Sequence, residues 1–153
     1  MRTLTIAPLL ALPLSAVLYA NDSTAALEAG GLVMTKSEHI VMAKEDLLIS
    51  QDKIRVAYQF HNTSNKAITT RVAFPLPSFS LDSDDAPFSE LPNDKNVMKF
   101  SVVVNGIPQK FETEDKQQTI NNALFHQITH HWMQAFPANK TISVLHEYQP
   151  ALG

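Results

Sequence analysis

The sequence predicts an all-β protein, an antiparallel β-sandwich of about seven or eight strands with one short helix. Three observations lead there. Short apolar runs recur from residue 39 to residue 150, the clearest of them alternating large apolar with polar side chains. Turn-forming clusters of Asn, Gly and Pro separate those runs. Only one segment, residues 115–127, carries helical spacing instead. Many short strands with frequent turns and little helix are the pattern of two packed antiparallel sheets.

Residues 1–20, "MRTLTIAPLLALPLSAVLYA", stand apart from the domain. Arg2 precedes an apolar run ending near Leu18, and Ala20 supplies a small residue for cleavage. This is the three-part arrangement of a secretory signal peptide, and the run is short for a membrane span. Export to the periplasm or medium is expected, with no stable membrane insertion after cleavage. The remaining residues, 21–153, are expected to form one β-sandwich domain. Asn21 to Gly31 reads as a polar entry, with a bend at Gly30-Gly31.

The strands then follow in order. "HIVMAK" (39–44) and "DLLIS" (46–50) are two short candidates. In "KIRVAYQFHN" (53–62), Ile54, Val56, Tyr58 and Phe60 occupy alternate positions, so all four share a face. "NTSNK" is a turn, and "AITTRVAF" (67–74) again alternates, so residues 53–74 read as a β-hairpin. "VAFPLP" ends that run abruptly. Pro75 and Pro77 lack the N–H that a ladder needs, and Phe74 before a proline is held extended. Phe74, Pro75, Leu76 and Pro77 are therefore expected to close one end of the sandwich, with Leu76 turned inward.

A long acidic loop is expected at 78–96. "VMKFSVVVNG" (97–106) returns to strand, and Asn105-Gly106 is a strong signal for a tight hairpin with "IPQKFET". From Asp115 onward, Ile120, Leu124 and Ile128 recur at spacing four, which predicts the short helix. "THHWMQAF", the turn "PANK" and "TISVLHEYQP" close the chain as a final expected hairpin.

Composition excludes several classes of function. The charge is −3, with 12 basic and 15 acidic residues and no basic cluster, which argues against a nucleic-acid partner. The chain has no cysteine, so thiol catalysis and disulfides are both absent. With four glycines it holds no glycine-rich phosphate loop, and no cofactor is implied.

Several segments, "NDSTAALEAGGL" (21–32), "EDLLIS" (45–50), "IRVAYQFHNTSNK" (54–66), "VAFPLP" (72–77) and "FPANKTISVLHEYQP" (136–150), together resemble the bacterial domain of unknown function 4424 family. That resemblance implies export and brings no catalytic residues. Phe74 to Pro77, Val104 to Gly106 and Phe136 to Tyr148 are also distantly similar to the vault protein inter-alpha-trypsin domain, which implies a sandwich, usually non-catalytic. Members of the first family are generally longer, and residues 114–129 make a short connection. The resemblance thus implies either a short member or one truncated at its C-terminus, and a missing strand would leave a sheet edge open.

Two clusters are candidate metal sites. His126, His130 and His131 lie close together, and on a helix His126 and His130 would share a face. On a strand, His130 and His131 would face opposite ways. Asp82, Asp84 and Asp85 offer oxygen ligands in the acidic loop, although the EF-hand spacing is not met. No GxSxG or comparable nucleophile motif occurs, and Trp132 and Phe136 read as core or rim. The expected function is an exported, non-enzymatic module that contacts a protein partner or the cell envelope. The alternative is a periplasmic metal- or small-ligand-binding protein.

Overall fold

A computed structural model of the chain describes residues 32–34, 38–82, 84 and 86–150. The expected signal peptide, the Gly30-Gly31 bend and Asp85 lie outside the described residues. Ten strands are present among those described: β1 (Val33–Met34), β2 (Ile40–Ile49), β3 (Ile54–Asn62), β4 (Ile68–Pro75), β5 (Phe79–Ser80), β6 (Ser101–Val104), β7 (Ile107–Pro108), β8 (Glu112–Ile120), β9 (Ala123–Phe136) and β10 (Thr141–Tyr148). Three of them, β1, β5 and β7, are two residues long. One five-stranded sheet has the order β1-β4-β9-β5, with β8 also paired to β9; the other runs β2-β3-β10-β6-β7. All neighbours are antiparallel, so the fold is the expected sandwich.

Alternation along the strands builds the core. Val56, Tyr58 and Phe60 of β3 lie buried beside Ile142, Val144 and Tyr148 of β10. Val72 and Phe74 of β4, with Ile128, Trp132 and Phe136 of β9, face them from the other sheet. Phe74 and Phe100 stack at 4.4 Å and 14° in the middle. Each such side chain contributes roughly 1.5–3 kcal/mol by leaving water. A period of two in the sequence is thus enough to place the core.

Pairing partners differ from local expectation in two places. β3 and β4 belong to different sheets, as do β9 and β10, so neither pair is a hairpin. Both connections are arches that cross the sandwich at the same end. Asn62, fully buried, holds them together: its side-chain amide donates to the carbonyls of Lys66 (2.8 Å) and Phe136 (2.9 Å). Its side-chain oxygen accepts from the Ser64 N–H at 2.9 Å and the Ser64 hydroxyl at 2.8 Å. The Asn62 N–H donates to Lys140 O at 3.0 Å. A buried amide with all these partners costs little and ties two distant turns into one unit.

The predicted helix is absent among the described residues; its place is taken by the β8–β9 hairpin. Asn121 and Asn122 have φ of 51° and 66°, which makes the tight two-residue turn whose twist suits a hairpin. Ile120 and Leu124 thereby fall on opposite sheet faces rather than on one helical stripe. The two short strands expected at 39–50 are one ten-residue strand, β2, with a bulge between Met42 and Lys44. Asn105-Gly106 forms the expected turn, with φ of 49° and 81°.

VAFPLP neither ends pairing nor turns a full corner. Pro75 remains opposite Thr129, the Leu76 N–H donates to Ile128 O at 2.8 Å, and Phe79 then pairs with His126. The prolines interrupt one edge of β9 and the chain resumes on it, offset by one residue. Leu76, 1% exposed, does point inward. The loop that follows is anchored rather than free. Phe88 packs edge-on against Phe79 at 4.9 Å, and the Asn96 side chain clasps the Phe100 N–H (2.7 Å) and carbonyl (3.0 Å).

Candidate functional site

The feature of the surface that local patterning explains least is β2. Its register places Ile40, Met42, Glu45, Leu47 and Ile49 opposite Asn62, Phe60, Tyr58, Val56 and Ile54 of β3, so these five share the inner face. Yet Phe60, Tyr58 and Val56 are buried, whereas Met42, Leu47 and Ile49 are 43%, 55% and 69% exposed. Cover from the opposite sheet stops at β3. Val41 and Leu48, on the outer face, are exposed too. Among the described residues no strand pairs with the second edge of β2. A ten-residue strand with a free edge and apolar side chains on both faces is a template for strand addition. Its centre is charged. Lys44 and Asp46 pair at 2.6 Å on the outer face. On the inner face, Glu45 lies opposite Tyr58, whose hydroxyl pKa is raised by burial first and by the Glu45 charge second.

The three candidate histidines do not converge. All lie on β9, His126 and His130 on its inner face and His131 on its outer one, the divergence a strand imposes. Among the described residues no three His, Asp or Glu side chains come together in a metal-holding group. His126 Nδ1 donates to the Asp115 carboxylate at 3.0 Å. Asp115 Oδ2 also accepts from Lys95 Nζ at 3.1 Å and Gln117 Nε2 at 3.2 Å. Burial pushes the Asp115 carboxyl up, but these hydrogen bonds outweigh it and leave it below the usual carboxylate range. The cluster clamps the base of the long loop to β8 and β9.

His130 Nδ1 shares a hydrogen bond with Thr113 Oγ1 at 2.9 Å, and its ring stacks on Phe100 at 5.3 Å and 12°. Burial lowers its pKa to about 4. His146, which its sequence context marks as an ordinary strand residue, lies among the rings of Tyr58, Phe74, Phe100 and Tyr148. Neither of its ring nitrogens has a hydrogen-bond partner among the described residues, and burial lowers its pKa to about 4 as well. Its alternate position in "ISVLHEY", in phase with Ile142 and Val144, was the available signal that it points inward. His131 Nε2 lies 3.4 Å from Glu114 Oε1 without hydrogen-bond geometry. Glu114 is engaged by Arg71 at 2.8 Å, and that bond holds its carboxyl low. Of the acidic-loop candidates, Asp82 and Asp84 are described; the Asp82 N–H donates to Ser80 Oγ at 3.2 Å.

The outer face of the β8-containing sheet carries two concavities of about 270 Å³ each. One is lined by Ser78, Gln117, Gln118 and Phe125, the other by Val33, Ala73, Pro75 and Thr129, and Lys116 and Gln127 line both. Each falls just below the roughly 300–1,000 Å³ usual for small-molecule sites.

Two antiparallel sheets joined by crossing arches define the chain as a β-sandwich module. It belongs to the family described as domain of unknown function DUF4424, whose profile matches residues 20–124 and 110–153. Among solved structures, the chain is similar to a protein described as a "putative nutrient binding protein" from Legionella pneumophila subsp. pneumophila str. Philadelphia 1. The two share 24% identity with a TM-score of 0.55 over 76% of this chain, which establishes a common fold. The match spans 41% of the Legionella chain. No curated protein matches.

Proposed function

We propose that the chain is an exported, non-enzymatic β-sandwich module that works through protein contacts at the cell envelope, with β2 as its contact element. The observation that carries this reading is the ten-residue edge of β2, unpaired among the described residues, with Val41, Met42, Leu47, Leu48 and Ile49 left exposed. Strand addition at such an edge draws affinity from main-chain hydrogen bonds and specificity from alternate side chains. Export is supported by the three-part pattern of residues 1–20. The non-enzymatic reading is supported by where the reactive groups sit. His130 and His146 are sealed in the core, and His126 is committed to Asp115.

A photo-crosslinking residue in place of Leu48, expressed in the producing cells, tests the contact. A discrete protein adduct that disappears with Leu47→Asp is expected, and no adduct is expected from Met133, exposed on the other sheet. Absence of any adduct at Leu48 overturns the reading. Recovery of the mature protein from the periplasm or medium with Asn21 as its first residue tests export.

A second reading, binding of a small ligand, is favoured by the two concavities that meet at Lys116 and Gln127. The description of the Legionella protein as nutrient-binding points the same way. A metal held by His126, His130 and His131 fits less well, because the strand turns them apart. Calorimetric titration with zinc, copper and calcium, with a thermal-shift screen of small anions and sugars, tests both forms. Binding tighter than micromolar that Lys116→Ala removes would favour the outer-face site.

A further inference from the structure

We propose that the occupant of the β2 edge is a second copy of this chain, paired antiparallel about a two-fold axis through Glu45. This rests on the reading of β2 as the contact element and names its partner. A two-fold interface must be self-complementary, since the same strand supplies both sides. The sequence of β2, Ile-Val-Met-Ala-Lys-Glu-Asp-Leu-Leu-Ile, has that property: two apolar triplets flank a charged centre of mixed sign.

Directly opposed residues in an antiparallel pair share a face, so a self-pairing register must match inner with inner and outer with outer. In the bulged strand, counting Ala43 as a paired residue would set Met42 against the partner's Leu48, an inner residue against an outer one. The bulge between Met42 and Lys44 shifts the faces by one residue, so the pairing keeps its faces matched only with Ala43 left out of the count. With Glu45 on the axis, Lys44 meets the partner's Asp46 on the outer face. Met42 then meets the partner's Leu47 on the inner face, Val41 the partner's Leu48 on the outer, and Ile40 the partner's Ile49 on the inner. Every pair is face-matched, three are apolar and one joins opposite charges. The side chains this covers are those the fold leaves exposed: Val41, Met42, Leu47, Leu48 and Ile49. One contact is unfavourable, Glu45 against its own copy, and it keeps a one-strand interface weak and reversible.

The absence of cysteine allows a direct test of this register. In the purified protein, Glu45→Cys sits across the axis from itself and is expected to oxidise to a disulfide-linked dimer, whereas Met133→Cys on the other sheet is not. Sedimentation of the cysteine-free protein should show mass rising with concentration toward a dimer. Glu45→Gln should tighten association about two- to five-fold by removing the like-charge pair, and Lys44→Glu should weaken it by a similar factor. Glu45→Cys crosslinking no faster than Met133→Cys, with monomers at every concentration, overturns the proposal. If Leu48 then still crosslinks a different protein in cells, the second copy is wrong and the contact reading stands. If Leu48 crosslinks nothing, the contact reading itself has failed.

Discussion

Two buried polar side chains show how differently a core treats a satisfied group and an unsatisfied one. Asn62 has partners for its amide and its carbonyl, four hydrogen bonds in all. Asn62→Ala removes them and takes the buried Phe136 carbonyl's side-chain donor away; a loss of about 2–4 kcal/mol is expected by urea denaturation. His146 is the opposite case, with no partner for either ring nitrogen among the described residues. Its pKa, with that of His130, is about 4 when folded, against an ordinary 6.5. Above pH 6.5 both states leave these rings neutral and no penalty exists. As the pH falls through 6.5 toward 4, the unfolded chain takes up protons that the folded one refuses, and stability is lost. At pH 5 the loss is roughly 2 kcal/mol for each histidine. Comparing denaturation at pH 7.5 and pH 5 checks this, and His146→Phe should hold its stability at pH 7.5 while removing about half of the acid-induced drop.

At the scale of elements, turn chemistry decides more than periodicity does. Ile120, Leu124 and Ile128 repeat at spacing four, yet the segment is a hairpin because Asn121-Asn122 adopts two successive positive φ values. Asn tolerates that conformation where a β-branched residue does not. Asn122→Val is expected to cost about 1–2 kcal/mol in thermal unfolding, and Asn122→Gly to be neutral or stabilising. VAFPLP teaches a related lesson. Prolines break a ladder only where their own N–H is needed, and Leu76 between them still donates to Ile128. Leu76 is almost wholly buried, so Leu76→Asp, which forces a charge into the core, should leave no folded protein by circular dichroism.

For the whole molecule, the order of stability follows from the order of the sheets. β10 is flanked on both edges by β3 and β6 and buries Ile142, Val144, His146 and Tyr148, whereas among the described residues β2 and β8 each have one neighbour and little cover. In dilute protein, amide hydrogens of β10 are expected to exchange slowest and those of β2 and β8 fastest among the long strands. Raising the protein concentration should slow exchange in β2 alone if its edge becomes paired.

The sequence by itself determined the strands outside residues 112–128, and in β3, β4 and β10 it determined which face is buried. Alternation in "IRVAYQFHN" and the Asn105-Gly106 turn are local signals, and local geometry obeys them. It also determined that His130 and His131 must diverge once their segment is extended. The tertiary structure decided which strand pairs with which. A strand followed by a polar turn and another strand has the same local pattern whether it folds back as a hairpin or arches across to the opposite sheet. The choice between β3–β4 and β3–β10 pairing is made by contacts some eighty residues apart, such as Tyr58 opposite Val144, and by Asn62 pinning both arches. The exposure of β2 was equally illegible, because "IVMAKEDLLI" reads as an ordinary strand until the sheet that should cover it is seen to stop one strand short.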